Sequence, residues 1–459
     1  MRGGVPAGPT DPVERQPVDG IEIWRSPMNG GVRPWVALAT AALMVGLAAG
    51  CGGAGSTDDA AKVTVVLAGN AEEIAGYRSL VAAFEKTDPG VDVTLSPVAT
   101  QDELMARLTT SFAGGNPPDV FLLNYRRYGQ FAAQKAIEPV QSYLDGSKVL
   151  KEKDFSPRAL EAFRFDGEQL TCLPQNMSSL VVYYNADLFA KAGVPLPKAG
   201  WSWADFLSAA QALTGDGVYG VGVAPSIARV APFVWSNGGE LVDDTDQPAA
   251  LTLTRNTATR KALDWFLDLQ LVHHVVPPDA EEQSESSEAR FLRGGLGMYL
   301  NSRVAVPTLR TIKGFEWDAA SLPVAPGGAP ASILHSDAYC MGAGRSDHGA
   351  AWRFIEFAMG VQGQEILAES GRTVPSRLDV ANSPAFLAAD RPPRSSGVFL
   401  DAEPHLRATP RTATWARVER EADKLLEEVF YGRVGREEGL RQLEEQIRPL
   451  FTLEEGTGR

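Results

Sequence analysis

Between Lys62 and Asn124 the hydrophobic pattern changes period repeatedly, and this alternation constrains the fold more than any other feature of the chain. KVTVVLAG (62–69) is a continuous β-branched apolar run, the mark of a strand buried on both faces. Ile74, Tyr77, Leu80, Val81 and Phe84 then recur at three- and four-residue spacing, which predicts a helix. A turn at Asp88-Pro-Gly leads into a second strand, DVTLSPV, and an amphipathic helix follows from Asp102 to Phe112. After a GGNPP break, DVFLLN (119–124) completes a strand–helix–strand–helix–strand series. Such a series predicts a doubly wound α/β sheet. Ligands of these sheets bind beyond the carboxyl ends of the strands, which directs attention to the loops starting at Gly69 and Asn124.

Further along, LTCLPQNMSSLVVYYNADLF predicts a strand, a break and a second strand, then a short helix ended by Gly193. WSWADFLSAAQAL (201–213) predicts a helix with Ser202 or Asp205 available to cap it. A second α/β region continues to about residue 325, in which GGLGMYLNS (294–302) is expected to be an apolar turn. A strand is expected around ILHSDAYCMGAG, then a helix over AAWRFIEFAMG, and one long amphipathic helix from about Thr414 to Phe451. No repeat of a length typical of solenoids is visible. The ~400 residues beyond the leader are too many for one core and imply two domains.

The amino-terminal part carries an address. VALATAALMVGLAAGC (36–51), preceded by Arg33, is an apolar run that ends in small residues and a cysteine. It is shorter than the roughly 20 residues a transmembrane helix needs, so it reads as an export signal. The small residues before Cys51 fit a lipoprotein signal, with Cys51 lipidated and becoming the mature terminus; an ordinary secretory signal with an incidental cysteine is the alternative. Residues 1–27 resemble no targeting segment, which makes Met28 the expected start and residues 1–50 a leader. Residues 51–61 are then a lipidated cysteine and flexible tether on the outer face of the cytoplasmic membrane. The leader holds four arginines (Arg2, Arg15, Arg25, Arg33) and four acids (Asp11, Glu14, Asp19, Glu22), so the net charge of -14 belongs to the mature protein. That charge disfavours nucleic-acid partners.

Besides Cys51 only Cys172 and Cys340 are present, which excludes a disulfide scaffold and a four-cysteine metal site; the pair is either a disulfide or two buried thiols. His273 and His274 are adjacent, so on a helix they diverge and cannot readily share a metal. No nucleophile elbow, metalloprotease, redox, P-loop or dinucleotide motif occurs, and we expect no enzyme activity, metal or cofactor. A glycosidase would need a carboxyl pair across one bond, for which the sequence offers no support.

A set of segments in order carries a resemblance: FEKTDPGVDV (84–93), PPDVF (117–121), LPQNMSSLVVYYNADLF (173–189), AGVPLPKAGWSWADF (192–206), WSNGGELVDD (235–244), FLRGGLGMYLNS (291–302), GRTVPSR (371–377) and YGRVGREEGLRQL (431–443). The chain resembles the extracellular solute-binding proteins of carbohydrate ABC importers, the family that includes maltose-binding protein. This implies a two-lobed periplasmic-binding-protein-like fold (type II) with the solute between the lobes. Lobe 1 would comprise 62–176 and 332–378, and lobe 2 177–331 and 379–459. It further implies a monomer that hands a mono- or oligosaccharide to an ABC permease without covalent chemistry. A glycerophosphodiester or polyol is the alternative solute.

Sugar binding needs aromatic faces and short polar side chains in one cleft. The resemblance puts Asn70 and Glu72 on the first strand's exit loop, Asn124, Tyr125 and Arg126 on the third, and Asn176, Met177 and Ser178 at a crossover. It adds Ser226 and Trp235 from a cleft-facing loop and helix, and Asn301 and Ser302 after GLGMYL. Arg303 and Val304 follow there, where family members often carry an aromatic platform, so a preference for glucose chains does not transfer. Trp415 is the expected substitute platform. Asp337 and Arg372 are the charged candidates, Asp337 for hydroxyls or an amino sugar and Arg372 for a phosphate or carboxylate. For Asn70 a helix cap, for Glu72 solvation, for Trp235 core packing and for Arg372 a structural ion pair are the competing roles.

Overall fold

The computed structural model describes residues 60–452 except 166, 168 and 346. The leader, Met28, Cys51 and most of the tether lie outside the described residues.

The predicted alternation is present as β1 (Ala61–Ala68), α1 (Ala71–Thr87), β2 (Val91–Val98), α2 (Gln101–Ala113) and β3 (Val120–Asn124), followed by α3 (Tyr125–Ala133) and the short β4 (Ile137–Glu138). Strands β1, β2 and β3 pair in parallel, and β3 buries every residue, as a strand covered on both faces must. The next strand in the sheet comes from far down the chain. β11 (Asp337–Gly342) lies antiparallel between β3 and β4 and also pairs with β5 (Leu173–Pro174).

Between β5 and β11 the chain builds a second sheet. β6 (Val181–Asn185), β7 (Tyr219–Gly222), β8 (Leu296–Asn301) and β9 (Trp317–Ala320) stand in the order β7-β8-β6-β9. Val182 and Tyr184 of β6 join one apolar cluster, and Val181 and Tyr183 join another on the opposite face. The protein is therefore a two-lobed α/β molecule, with one sheet per lobe and both sheets covered on both faces. A separate short ladder pairs β10 (Ser332–Ile333) with β12 (Leu406–Arg407).

Two expectations need correction. The segment 294–302 is not a turn: Leu296–Asn301 is a central strand, and its six residues are all buried. Gly297 sits where the helix Trp203–Leu213 comes close, since a Cβ there would lie 2.7 Å from Leu213 Cδ1. Nor is the tail one helix. It forms Trp415–Phe430 and Arg436–Phe451, which fold back on each other. Gly432 turns the chain at φ +70°, and Gly439 permits the close approach, because a Cβ there would lie 2.2 Å from Val429 Cγ2. The helix Trp203–Leu213 does begin with Ser202 as cap, in a reciprocal box with Asp205.

Three crossover segments join the lobes and bond to one another. Met177 N–H donates to Val374 O at 3.0 Å, and Ser178 and His335 exchange backbone bonds at 2.7 and 2.9 Å. In lobe 1, Cys172 and Cys340 form a disulfide with Cα atoms 4.6 Å apart.

Candidate ligand cleft

At the crossovers the two lobes enclose a cavity of about 260 Å³, which opens at the carboxyl ends of β3 and β8. Its organising group on the lobe 1 side is Asp337. Asn124 Nδ2 donates to its Oδ1 at 2.9 Å and Asn176 Nδ2 to its Oδ2 at 3.2 Å, while the Asp337 N–H donates to Asn176 Oδ1 at 3.2 Å. Arg372 Nη2 stands 3.8 Å from the same carboxylate, and Arg372 Nε lies 2.8 Å from Glu73 Oε2. Burial alone would lower the Arg372 pKa, but Tyr77, Glu73 and Asp337 outweigh it and keep the guanidinium charged. Each crossover thus contributes one group to a single knot: Asn176, Asp337 and Arg372.

Asn124 begins α3 as its cap and accepts from both N–H and Nε of Arg126 at 3.2 Å. Arg126 is ion-paired with Glu419 of the helix Trp415–Phe430, and this pairing raises its pKa against the effect of burial. On the lobe 2 side, Asn301 Oδ1 accepts from Arg229 Nη2 at 3.0 Å and from the Ser302 N–H at 2.8 Å. Asn301 Nδ2 donates to Tyr299 Oη at 2.6 Å. Arg303 lines the cavity with its backbone, whose N–H donates to Ser178 Oγ at 3.3 Å. Its guanidinium turns away to Gly371 O and to the rings of Phe386 and Phe399, and burial pushes its pKa down to about 9. His335 also lines the cavity; burial, then Arg126 and Arg229, hold its pKa well below the usual imidazole range, so the ring is neutral.

Of the fifteen residues named from sequence, the structure brings Asn124, Arg126, Asn176, Ser178, Asn301, Ser302, Asp337 and Arg372 to this cavity. The aromatic candidates lie elsewhere. Tyr125 is fully buried in the lobe 1 core, with its hydroxyl against Thr409, and offers no face to the cleft. Trp415 is fully buried in the lobe 2 core, where its Nε1 donates to Glu419 at 3.0 Å, so it is a packing residue and not a platform. Trp235 is buried under the Arg407 guanidinium, 4.9 Å from its ring centroid. Met177 points into the lobe 1 core and Ser226 caps the helix Ile227–Ser236. Asn70 caps α1 and reaches Thr308 of the other lobe at 3.0 Å, and Glu72 is exposed.

The residues not anticipated are Gln101, Arg127, Arg229, His335, Thr373 and Val374. Two of them had a readable signal: Arg229 is the one charge within SIARVAPFVW, and His335 interrupts the apolar approach to β11. A cation in a helix that is otherwise buried must find either a counter-ion or a cavity.

The comparisons with known proteins agree with this architecture. The ABC substrate-binding protein Lmo0181 of Listeria monocytogenes, solved in complex with cycloalternan, superposes with a TM-score of 0.78 at 22% identity, over 86% of this chain and 100% of that one. The GacH receptor of Streptomyces glaucescens, solved unliganded and with acarbose, gives 0.75 at 23% identity, over 86% and 100%. A lipoprotein encoded in the oleD 5' region of Streptomyces antibioticus is 29% identical over 199 residues, 41% of this chain and 42% of that protein. The family model described as bacterial extracellular solute-binding protein matches residues 68–365, and with the two-lobed fold and interlobe cavity this places the chain in the bacterial extracellular solute-binding protein family.

Proposed function

We propose that the chain is the lipid-anchored, extracytoplasmic solute-binding subunit of an ABC importer, and that it captures a small carbohydrate between its lobes and delivers it to the permease unchanged. The observation that carries this reading is the knot of Asn176, Asp337 and Arg372, one group from each crossover, set in the floor of a polar interlobe cavity. A solute bound there touches the segments that must bend for the lobes to move, so its binding energy biases an open–closed equilibrium. The saccharides bound by the Listeria and S. glaucescens proteins support a carbohydrate solute, and the S. antibioticus lipoprotein supports the anchor at Cys51.

The test is a thermal-melt panel of neutral and acidic mono- and disaccharides against the mature domain. At least one should raise the melting temperature in proportion to the logarithm of its concentration and be recovered chemically intact. A panel in which only glycerophosphodiesters or polyols do so would establish the alternative solute. For the anchor, Cys51→Ser in the full chain should move the protein from the membrane fraction to the soluble one.

A further inference from the structure

Most side-chain acceptors of the cavity are already engaged, whereas a buried cationic donor is left over. Both Asp337 oxygens are occupied, by Asn124 and by Asn176, with Arg372 alongside. Asn124 Oδ1 is taken by Arg126, Asn176 Oδ1 by the Asp337 N–H, and Asn301 Oδ1 by Arg229 and the Ser302 N–H. Gln101 Oε1 is a remaining acceptor, on an amide whose oxygen and nitrogen can exchange places. Thr373 Oγ1 is also unpartnered and can act either way.

On the donor side, Arg229 stands out. Its Nε is buried without a hydrogen-bond partner, and no carboxylate among the described residues lies within ion-pair distance of it. The acids behind it are engaged: Glu419 by Arg126 and Trp415, and Asp423 by the Ile227 N–H at 2.6 Å. Burial lowers the Arg229 pKa, which is the signature of a desolvated cation still short of an adjacent anion. His335 Nε2, also buried and unpartnered, lines the same cavity. Among the described residues no Phe, Tyr or Trp ring lines it, so the wall offers little to the apolar face of a neutral sugar and much to an oxyanion.

Resting on the saccharide reading above, we propose that the solute is an acidic saccharide, whose carboxylate or phosphate is received by the Arg229 guanidinium. Asn301 positions that guanidinium through Nη2, which leaves Nε for the ligand. The neutral part of the sugar lies toward Asn124, Asn176 and Gln101.

Titration calorimetry on matched pairs tests this: galacturonate against galactose, digalacturonate against a neutral disaccharide, and glucose 6-phosphate against glucose. At least one acid should bind about tenfold or more tighter than its neutral partner, and Arg229→Gln should remove most of that difference. Arg229→Lys, which keeps the charge but loses the fork, should retain part of it. Unliganded melting curves identify any variant that fails to fold, in which case the wild-type acid-to-neutral ratio decides. The uronate and phosphate arms show which anion is carried. Neutral sugars that bind as tightly as their acids overturn this inference and leave the saccharide reading standing. Binding of no saccharide at all overturns both.

Discussion

A single buried carboxyl shows how side chains in and behind the cleft are tuned. Asp423 accepts the Ile227 N–H at 2.6 Å, and burial pushes its pKa up to about 7; Glu419 adds to the rise, and the Ile227 N–H, Arg126 and Arg229 oppose it. Unfolded, an aspartate titrates near ~3.9. The folded state therefore holds the proton more tightly, so the stability linked to Asp423 is fully present below about pH 4 and is lost as pH rises through about 7. Asp423→Asn keeps an oxygen for Ile227 without the charge. It should gain on wild type progressively across that window and exceed it at pH 8 by on the order of a few kcal/mol; equal melting temperatures at pH 5 and pH 8 would refute the assignment. Residue chemistry also explains which sequence candidates lie in the cleft. Short polar residues at strand ends, such as Asn124 and Asn301, reach it because a strand's last residue faces the loop side. The large rings of Tyr125 and Trp415, one step into their helices, fall on the core side.

At the level of elements, the lobe 2 sheet depends on glycines that let a helix approach its strands closely. Gly220 in β7 packs so closely under the helix Trp203–Leu213 that a Cβ would stand 2.0 Å from Ala210 O, a backbone atom that cannot step aside. Gly220→Ala should therefore push helix and strand apart and cost about 1–3 kcal/mol, read as a lower urea midpoint. An unchanged midpoint would mean that this contact is looser than described. The same reasoning accounts for the helical hairpin of the tail. Its amphipathic pattern runs through 414–451 without a clear break, and only the backbone conformation at Gly432 and the contact at Gly439 fold it in two.

For the whole molecule, the decisive fact is that lobe 1 is interrupted. The sheet needs β11, which arrives only after the chain has built the second sheet, and the disulfide between Cys172 and Cys340 closes that excursion across a separation of 168 residues. A loop of this length has a large closure entropy, so the bridge stabilises lobe 1 by restricting the unfolded chain. Replacing both cysteines with alanine should cost roughly 2–5 kcal/mol in equilibrium unfolding and should lower the melting temperature about as much as full reduction does. A variant with wild-type stability would show the bridge to be dispensable. By itself the sequence determined the local elements of lobe 1 and its α/β class, because hydrophobic period is a property of neighbouring residues, whereas most of the polar cleft candidates came from the family resemblance. Tertiary structure alone decided that 296–301 is a strand, that the aromatic candidates are core, and that Arg229 Nε and His335 Nε2 stand without hydrogen-bond partners in the cavity that holds Asp337. Those outcomes depend on what packs against each residue from segments distant in the chain, and no local pattern records that.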